Sequence, residues 1–211
     1  LLIGASVVKS NVHRYVIDAN RDPTGRSLYP GQNTTELCPI SDFDGLDIWQ
    51  ADQAPSSDEV EARRLAYHMP YHAALAEELD RVRQIHGIAI LYDCHSIRSN
   101  IGFLFQGTLP VFNIGTNNSI TCNTYVEQIV HSACQEMEPS NTVLNGRFKG
   151  GWTTRQYGQP ETGIHAIQME LAQRSYMSES YPWSFDMDRA KILQPKLRRI
   201  LAELAKYASA Q

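Results

Sequence analysis

Several familiar signatures of function are missing from this sequence. No apolar run approaches the ~20 residues of a bilayer-spanning helix, so a membrane is not an expected partner of these 211 residues. Basic residues are outnumbered, with 19 Lys and Arg against 23 Asp and Glu and a formal charge of −4. A nucleic-acid-binding surface calls for the opposite balance, so nucleic acid is not an expected partner either. The Walker spacing, a GxGxxG turn after a strand and a GxSxG elbow are all absent, which disfavours nucleotide enzymes and common serine hydrolases. Cysteines 38, 94, 122 and 134 match no CxxC zinc or redox spacing and read as reduced thiols of a cytoplasmic protein. The opening stretch Leu1–Val8 is too short and too uncharged for a signal peptide, and it lacks an initiator Met. It reads as the interior of a longer chain.

What is present is the composition of a folded domain. Hydrophobic residues make up 42% and charged residues 20%, too apolar a balance for a disordered chain. No repeat or linker divides it, so residues 1–211 are read as a single domain. Short β-branched or aromatic runs at Ala5–Val8 and Tyr15–Ile17 suggest strands. Residues 21–57 are dense in Pro, Gly, Asp, Ser and Thr, and a loop that long is usually functional.

Apolar spacing predicts a helix over 58–85, with Pro70 kinking or breaking it and Gly87 ending it. The run Ile88–Tyr92 suits a strand covered on both faces. Further strands are expected at 111–114, 142–144 and 164–171. Helices are expected at 125–137, capped by Asn123 or Thr124, and at 186–207 with Ala190, Leu193, Leu197, Ile200 and Leu204 on one face. Alternating strands and helices imply a three-layer α/β/α fold with a mainly parallel or mixed sheet.

The sharpest polar cluster is Asp93-Cys94-His95-Ser96-Ile97-Arg98, directly after the most apolar strand. Ligands bind at such strand ends in open α/β sheets. His95 is a candidate metal ligand, with a neighbouring carboxylate or carbonyl to orient the ring, and Arg98 adds a cation. The stretch Arg14–Asp22 has the same form. Arg21 offers a planar fork for a carboxylate and Asn20 a directional hydrogen bond. A turn in which Asp18 and Asp22 pair these arginines fits equally well. The glycine-rich loop 145–155 carries Arg147, Lys149 and Arg155 and suits a small acidic ligand. Glu170, in an otherwise apolar strand, is costly to bury unless paired or used, and is a general-base candidate. His68 and His72 have the spacing of helical metal ligands, but HMPYH lacks the Glu of HExxH. Packed, hydrogen-bonded histidines are the expectation there.

The runs RYVIDANR, LYPGQNTTELCP, DCHSIRS, LNGRFKGGWTTRQYG and GIHAIQMELAQRSYM together resemble the N-formylglutamate amidohydrolase family, in its order and over nearly the whole chain. The resemblance implies a zinc-exopeptidase-like (phosphorylase/hydrolase-like) fold. It implies metal-dependent hydrolysis of N-formyl-L-glutamate, a small acidic N-acyl amino acid, to L-glutamate and formate late in histidine catabolism. It makes His95 a ligand of a divalent metal, by preference zinc, and Glu170 the base for a metal-bound water. Asn20 and Arg21 become the pair that holds a substrate carboxylate, and Arg14 the residue that polarises the scissile carbonyl. The family's PHxG and DxDW segments have no counterpart in residues 1–211, so the metal-ligand set of this stretch is expected to be incomplete. The alternatives are another N-acyl amino acid amidohydrolase of this fold, or a non-catalytic fragment that binds acidic ligands.

Overall fold

The computed structural model describes residues 3–28, 31 and 34–210. The LYPGQNTTELCP run therefore lies partly outside the described residues. Internal contacts group the chain into two compact units: Leu79–Asn100 with the stretch from Gly107 onward, and Ser6–Glu78 with Ile101–Gln106.

The first unit is built on a mixed sheet of β1 (Ala89–Ile97), β2 (Phe112–Gly115), β3 (Thr142–Leu144) and β4 (Ile164–Ala172), in the order β1-β4-β2-β3. β1 runs parallel to β4, and β2 is antiparallel to β4 and parallel to β3. Side chains on a strand alternate between faces, and the register makes this sheet two-sided. Tyr92 sits opposite Ile167, Cys94 opposite Met169 and Ile114 opposite Met169, on one face. Asp93 sits opposite Gln168, His95 opposite Glu170 and Asn113 opposite Glu170, on the other.

The apolar face is covered by α3 (Thr124–Met137) and α5 (Met187–Ala208). Asn123 caps α3 by accepting the Val126 N–H at 2.9 Å, and Asp186 caps α5 through Asp188 and Arg189. The helices bury Val126, Val130 and Cys134, and Leu193, Ile200 and Leu204, against Phe112, Ile114, Ile167 and Met169. Each such side chain contributes roughly 1.5–3 kcal/mol of transfer free energy when fully buried. This layer is what the sequence periodicity anticipated, including the shared face of α5. Cys122 and Cys134 are buried there, and desolvation pushes both thiols up to about 12.

The second unit has little regular structure before its helices. Neither Ala5–Val8 nor Tyr15–Ile17 forms a strand; the second lies in a turn. A short extended run gains nothing without a ladder partner, and among the described residues these runs have none. The helix expected over 58–85 is α1 (Ser57–Arg63), a π-helical turn at Arg64–His68 and α2 (Met69–His86). Pro70 explains the wide turn: its ring disfavours the tight α-helical approach to the carbonyl one turn back. Ile17, Leu37 and Cys38 form a small core with Val12 and Val60. Arg63 ties α1 to the loops, donating to the Val16 carbonyl at 3.0 Å and lying 5.1 Å over the Trp49 ring.

Candidate active site

The polar face of the sheet is the strongest candidate. β1 and β4 each bring two polar residues spaced by two, which a strand must present on one side. His95 Nε2 lies 2.9 Å from Asp93 Oδ1. A carboxylate in this position fixes the orientation of an imidazole. On β4, Gln168 Nε2 donates to Glu170 Oε2 at 3.2 Å. Glu170 is only 7% exposed, so this carboxyl is placed by its surroundings rather than by water. From β2, Asn113 Nδ2 donates to the carbonyls of Pro110 and Glu170, and its Oδ1 is buried with no hydrogen-bond partner.

The loop leading into α4 (Trp152–Tyr157) closes on the same face. The Gly151 N–H donates to Gln168 Oε1 at 2.6 Å, and Thr154 Oγ1 lies 3.4 Å from Asp93 Oδ2. Helices thus lie on both faces of the sheet. The loop backbone comes so close that a Cβ on Gly115 would meet Gly150 N at 2.4 Å, and Gly150 itself has φ +105°. Only glycine fits such positions without strain. Asn117 N–H donates to the Lys149 carbonyl at 2.6 Å. The Asn145 side chain accepts from Thr116 N–H and donates to Thr116 Oγ1, at 2.9 and 2.8 Å. The cationic loop is therefore fastened to the strand ends, with Arg155 Nε donating to the Gly150 carbonyl at 2.9 Å. Arg147 lies against the Phe148 ring at 5.3 Å, and Arg98 follows the end of β1.

Cys94 sits between Asp93 and His95 but belongs to the opposite face. Although it is exposed, partial desolvation and Asp93 push its thiol up to about 11.

Arg14, Asn20 and Arg21 form a separate group, in the second unit. Asp18, 4% exposed, is its centre. Arg14 Nη2 reaches Asp18 Oδ2 at 2.5 Å and Arg21 Nη1 reaches it at 3.5 Å. Burial alone would raise the Asp18 carboxyl, but the two arginines and their hydrogen bonds hold it below its ordinary value. Arg21 also donates to the Thr35 carbonyl and Thr35 Oγ1, both at 2.9 Å, and to the Asn20 carbonyl at 3.0 Å. The ion-paired turn that fitted the sequence is present at Asp18, although no strand leads into it, while Asp22 lies 3.5 Å from Arg26 instead. His72 Nε2 contacts the Ala19 carbonyl at 2.8 Å and His68 Nε2 the Arg21 carbonyl at 3.0 Å. These two histidines are buried and hydrogen-bonded, and they bracket the Asn20–Arg21 segment.

A catalytic zinc takes about three protein ligands. Among the described residues, no three His, Cys, Asp or Glu side chains come together as a group able to hold a metal. The described residues therefore do not make up a metal centre by themselves. No helix among them is long and apolar enough to cross a membrane.

Sequence reasoning named His95 and Glu170 but passed over Gln168 and Asn113 as site residues. The signal for Gln168 was available: it stands two places before Glu170 on a strand and must share its face. Asn113 gave no such signal, because only the antiparallel pairing of β2 with β4 puts it opposite Glu170.

Known proteins resemble this chain closely. It is 42% identical to an N-formylglutamate deformylase of Pseudomonas putida over 207 residues, covering 98% of this chain and 77% of that protein. It is also 42% identical to an N-formylglutamate deformylase of Pseudomonas aeruginosa, covering 96% of this chain and 76% of that one. A crystal structure of an N-formylglutamate amidohydrolase from Ralstonia eutropha superposes with a TM-score of 0.73 at 25% identity, covering 92% of this chain and 73% of that one. A gene product of Agrobacterium tumefaciens shares the fold, with a TM-score of 0.64 at 17% identity over 92% of this chain and 68% of its own. The family model for N-formylglutamate amidohydrolase matches residues 1–177, and on that match, together with relatives alike over almost its whole length, the chain belongs to the N-formylglutamate amidohydrolase family.

Proposed function

We propose that the protein hydrolyses the formamide bond of N-formyl-L-glutamate, releasing formate and L-glutamate, with Glu170 as the general base. The observation that carries this reading is Glu170 itself: a nearly buried carboxylate on the polar face of a central strand, hydrogen-bonded by Gln168 and in register with His95. The relatives' names supply the substrate.

In this mechanism Glu170 takes a proton from the attacking water. The water oxygen bonds to the formyl carbon, the carbon–nitrogen bond breaks, and Glu170 returns the proton to the departing amine. General-base catalysis of this kind contributes on the order of 10²–10⁴-fold. The substrate carries two carboxylates, and Arg98, Arg147, Lys149 and Arg155 are the cations this unit offers them. Asn20 and Arg21 are assigned to carboxylate recognition, and Arg14 to carbonyl polarisation, on the family resemblance alone. His95, with Asp93 behind it, is the residue of this unit suited to a divalent metal, zinc by preference. The described residues do not complete its ligand set, so the steps above belong to the chain's own groups. The reaction suits a late cytoplasmic step of histidine catabolism.

The test is formate release from N-formyl-L-glutamate by the wild-type protein and by Glu170→Gln, with N-acetylglutamate and an uncharged N-formyl amide as competing substrates. Turnover of N-formylglutamate should be preferred and should fall on the order of 10²–10⁴-fold in Glu170→Gln. Near-normal turnover in that variant would return Glu170 to a structural role. A preference for N-acetylglutamate would make the protein a different N-acyl amino acid hydrolase.

A further inference from the structure

We infer that Gln168 is a positioning residue that couples the cationic loop to the catalytic carboxylate. The inference rests on Glu170 being the base. A primary amide has a donor end and an acceptor end, and both ends of Gln168 are committed. Gly151 offers a backbone N–H, which can only donate, and it lies 2.6 Å from Gln168 Oε1. The opposite end, Nε2, must then point away from the loop, and it donates to Glu170 Oε2 at 3.2 Å. The side chain is 4% exposed, so water does not compete for either end. The loop bond sets which way the amide faces, and the amide in turn bonds the Glu170 carboxylate.

Gly151 is the residue from which α4 begins, and it follows Arg147 and Lys149 on the same loop. The loop's backbone is hydrogen-bonded at Lys149 to Asn117, just past β2, and packs closely on Gly115 at Gly150. A ligand that pulls on the loop's cations therefore acts on Gly151, and through the Gln168 amide on the Glu170 carboxylate. Capture of the substrate's carboxylate and readiness of the base become one event. A glutamate at 168 would keep the acceptor for Gly151 but lose the donor to Glu170, setting two carboxylates side by side. A methionine would keep the volume and lose both bonds.

The experiment uses the whole protein with Gln168→Glu, Gln168→Met, Glu170→Gln and the double variant Gln168→Met/Glu170→Gln. Each is assayed on N-formyl-L-glutamate for kcat and KM separately and melted by circular dichroism. In folded single variants at 168, kcat should fall by about 10–100-fold, as for other residues that orient a catalytic group. KM should change far less than kcat. In the double variant Gln168→Met should add little to the loss caused by Glu170→Gln, because residues that act as a unit are not additive. Unchanged kcat in a folded variant at 168 would overturn the coupling, as would a loss that multiplies in full with that of Glu170→Gln. Failure of both variants at 168 to fold would overturn it too, by making Gln168 a structural residue. If Glu170→Gln retains near-normal kcat, it is the base assignment that fails, and the coupling falls with it.

Discussion

The sheet face and the Arg14–Thr35 segment both concentrate polar residues, but they hold them by different physics. On the sheet, direction comes from register. Asp93 and His95, and Gln168 and Glu170, share a face because strands alternate. The hydrogen bond that reaches the Glu170 carboxylate along its own strand comes from a neutral amide. In the segment, direction comes from charge. Asp18 draws in Arg14 and Arg21, and Thr35 and the Asn20 carbonyl take much of the Arg21 fork. One region orients a carboxylate without neutralising it through that bond. The other balances its cations against an acid of its own. The first arrangement bonds its acid to a neutral partner along the strand, and the second bonds its acid to two cations.

The largest effect that separates them should come from Asp18→Ala. Removing one partner of a buried ion pair strands the others. With the Arg14 side chain 36% exposed, the cost should fall at the lower end of the usual range, about 3 kcal/mol. Urea unfolding followed by Trp49 fluorescence in an otherwise Trp-free background checks this. A loss under about 1 kcal/mol would mean that Asp18 is not the centre of its segment. Glu170→Gln, by contrast, should lower turnover with far less effect on the unfolding midpoint.

The next comparison is Arg21→Lys, which keeps the charge near Asp18 but cannot reproduce the fork. If Arg21 also recognises the substrate's carboxylate, kcat/KM for N-formyl-L-glutamate should fall about tenfold more than for an uncharged N-formyl amide, a difference of about 1.4 kcal/mol. Equal losses on both substrates would leave Arg21 as the clasp on Thr35 and nothing more.

The smallest effect concerns pH and is shared by the two regions. Burial lowers the pKa of His68 in one unit and of His165 in the other below the ordinary 6.5. Below that value the unfolded chain takes up protons that the folded imidazoles resist, so the unfolded state binds more of them. Stability contributed by these sites is present above pH 6.5 and declines as the pH drops from 6.5 toward their folded values. Chemical unfolding between pH 7.5 and pH 5.5 should show this slope, and His68→Gln and His165→Gln should each flatten it. A slope unchanged in both variants would assign the acid sensitivity to other groups.

Legibility in the sequence followed the same division. α3 and α5 could be read because burial imposes a period on their residues, and Ile167, Met169 and Leu171 alternate with Gln168 and Glu170 as a two-sided strand must. β1 could be read only over its apolar first half, because it runs on through Asp93–Ile97, whose polar residues place that cluster past the strand end by pattern alone. The second unit has few such constraints. Val7-Val8 and Tyr15–Ile17 have the composition of strands without the partners that make one, and composition carries no information about partners. The pairing of Arg14 and Arg21 with Asp18 was visible as an alternative, because oppositely charged residues three and four places apart meet readily in a turn. The bond from Gly151 to Gln168 was not visible, since it joins a loop to a strand through a backbone group that every residue possesses. The deformylase resemblance identified single residues, but the wiring between them came only from three-dimensional register.

The position of β4 has a consequence for motion. It is bonded to β1 on one side and to β2 on the other, so its amides have no edge from which to fray. Local opening in proteins draws on termini and loops, while doubly bonded strands exchange their hydrogens only when a larger unit opens. The amides of Met169 and Leu171, to either side of Glu170, should therefore be among the slowest of this unit to exchange with deuterated water. Glu170 would then ride on one of the stillest strands of its unit.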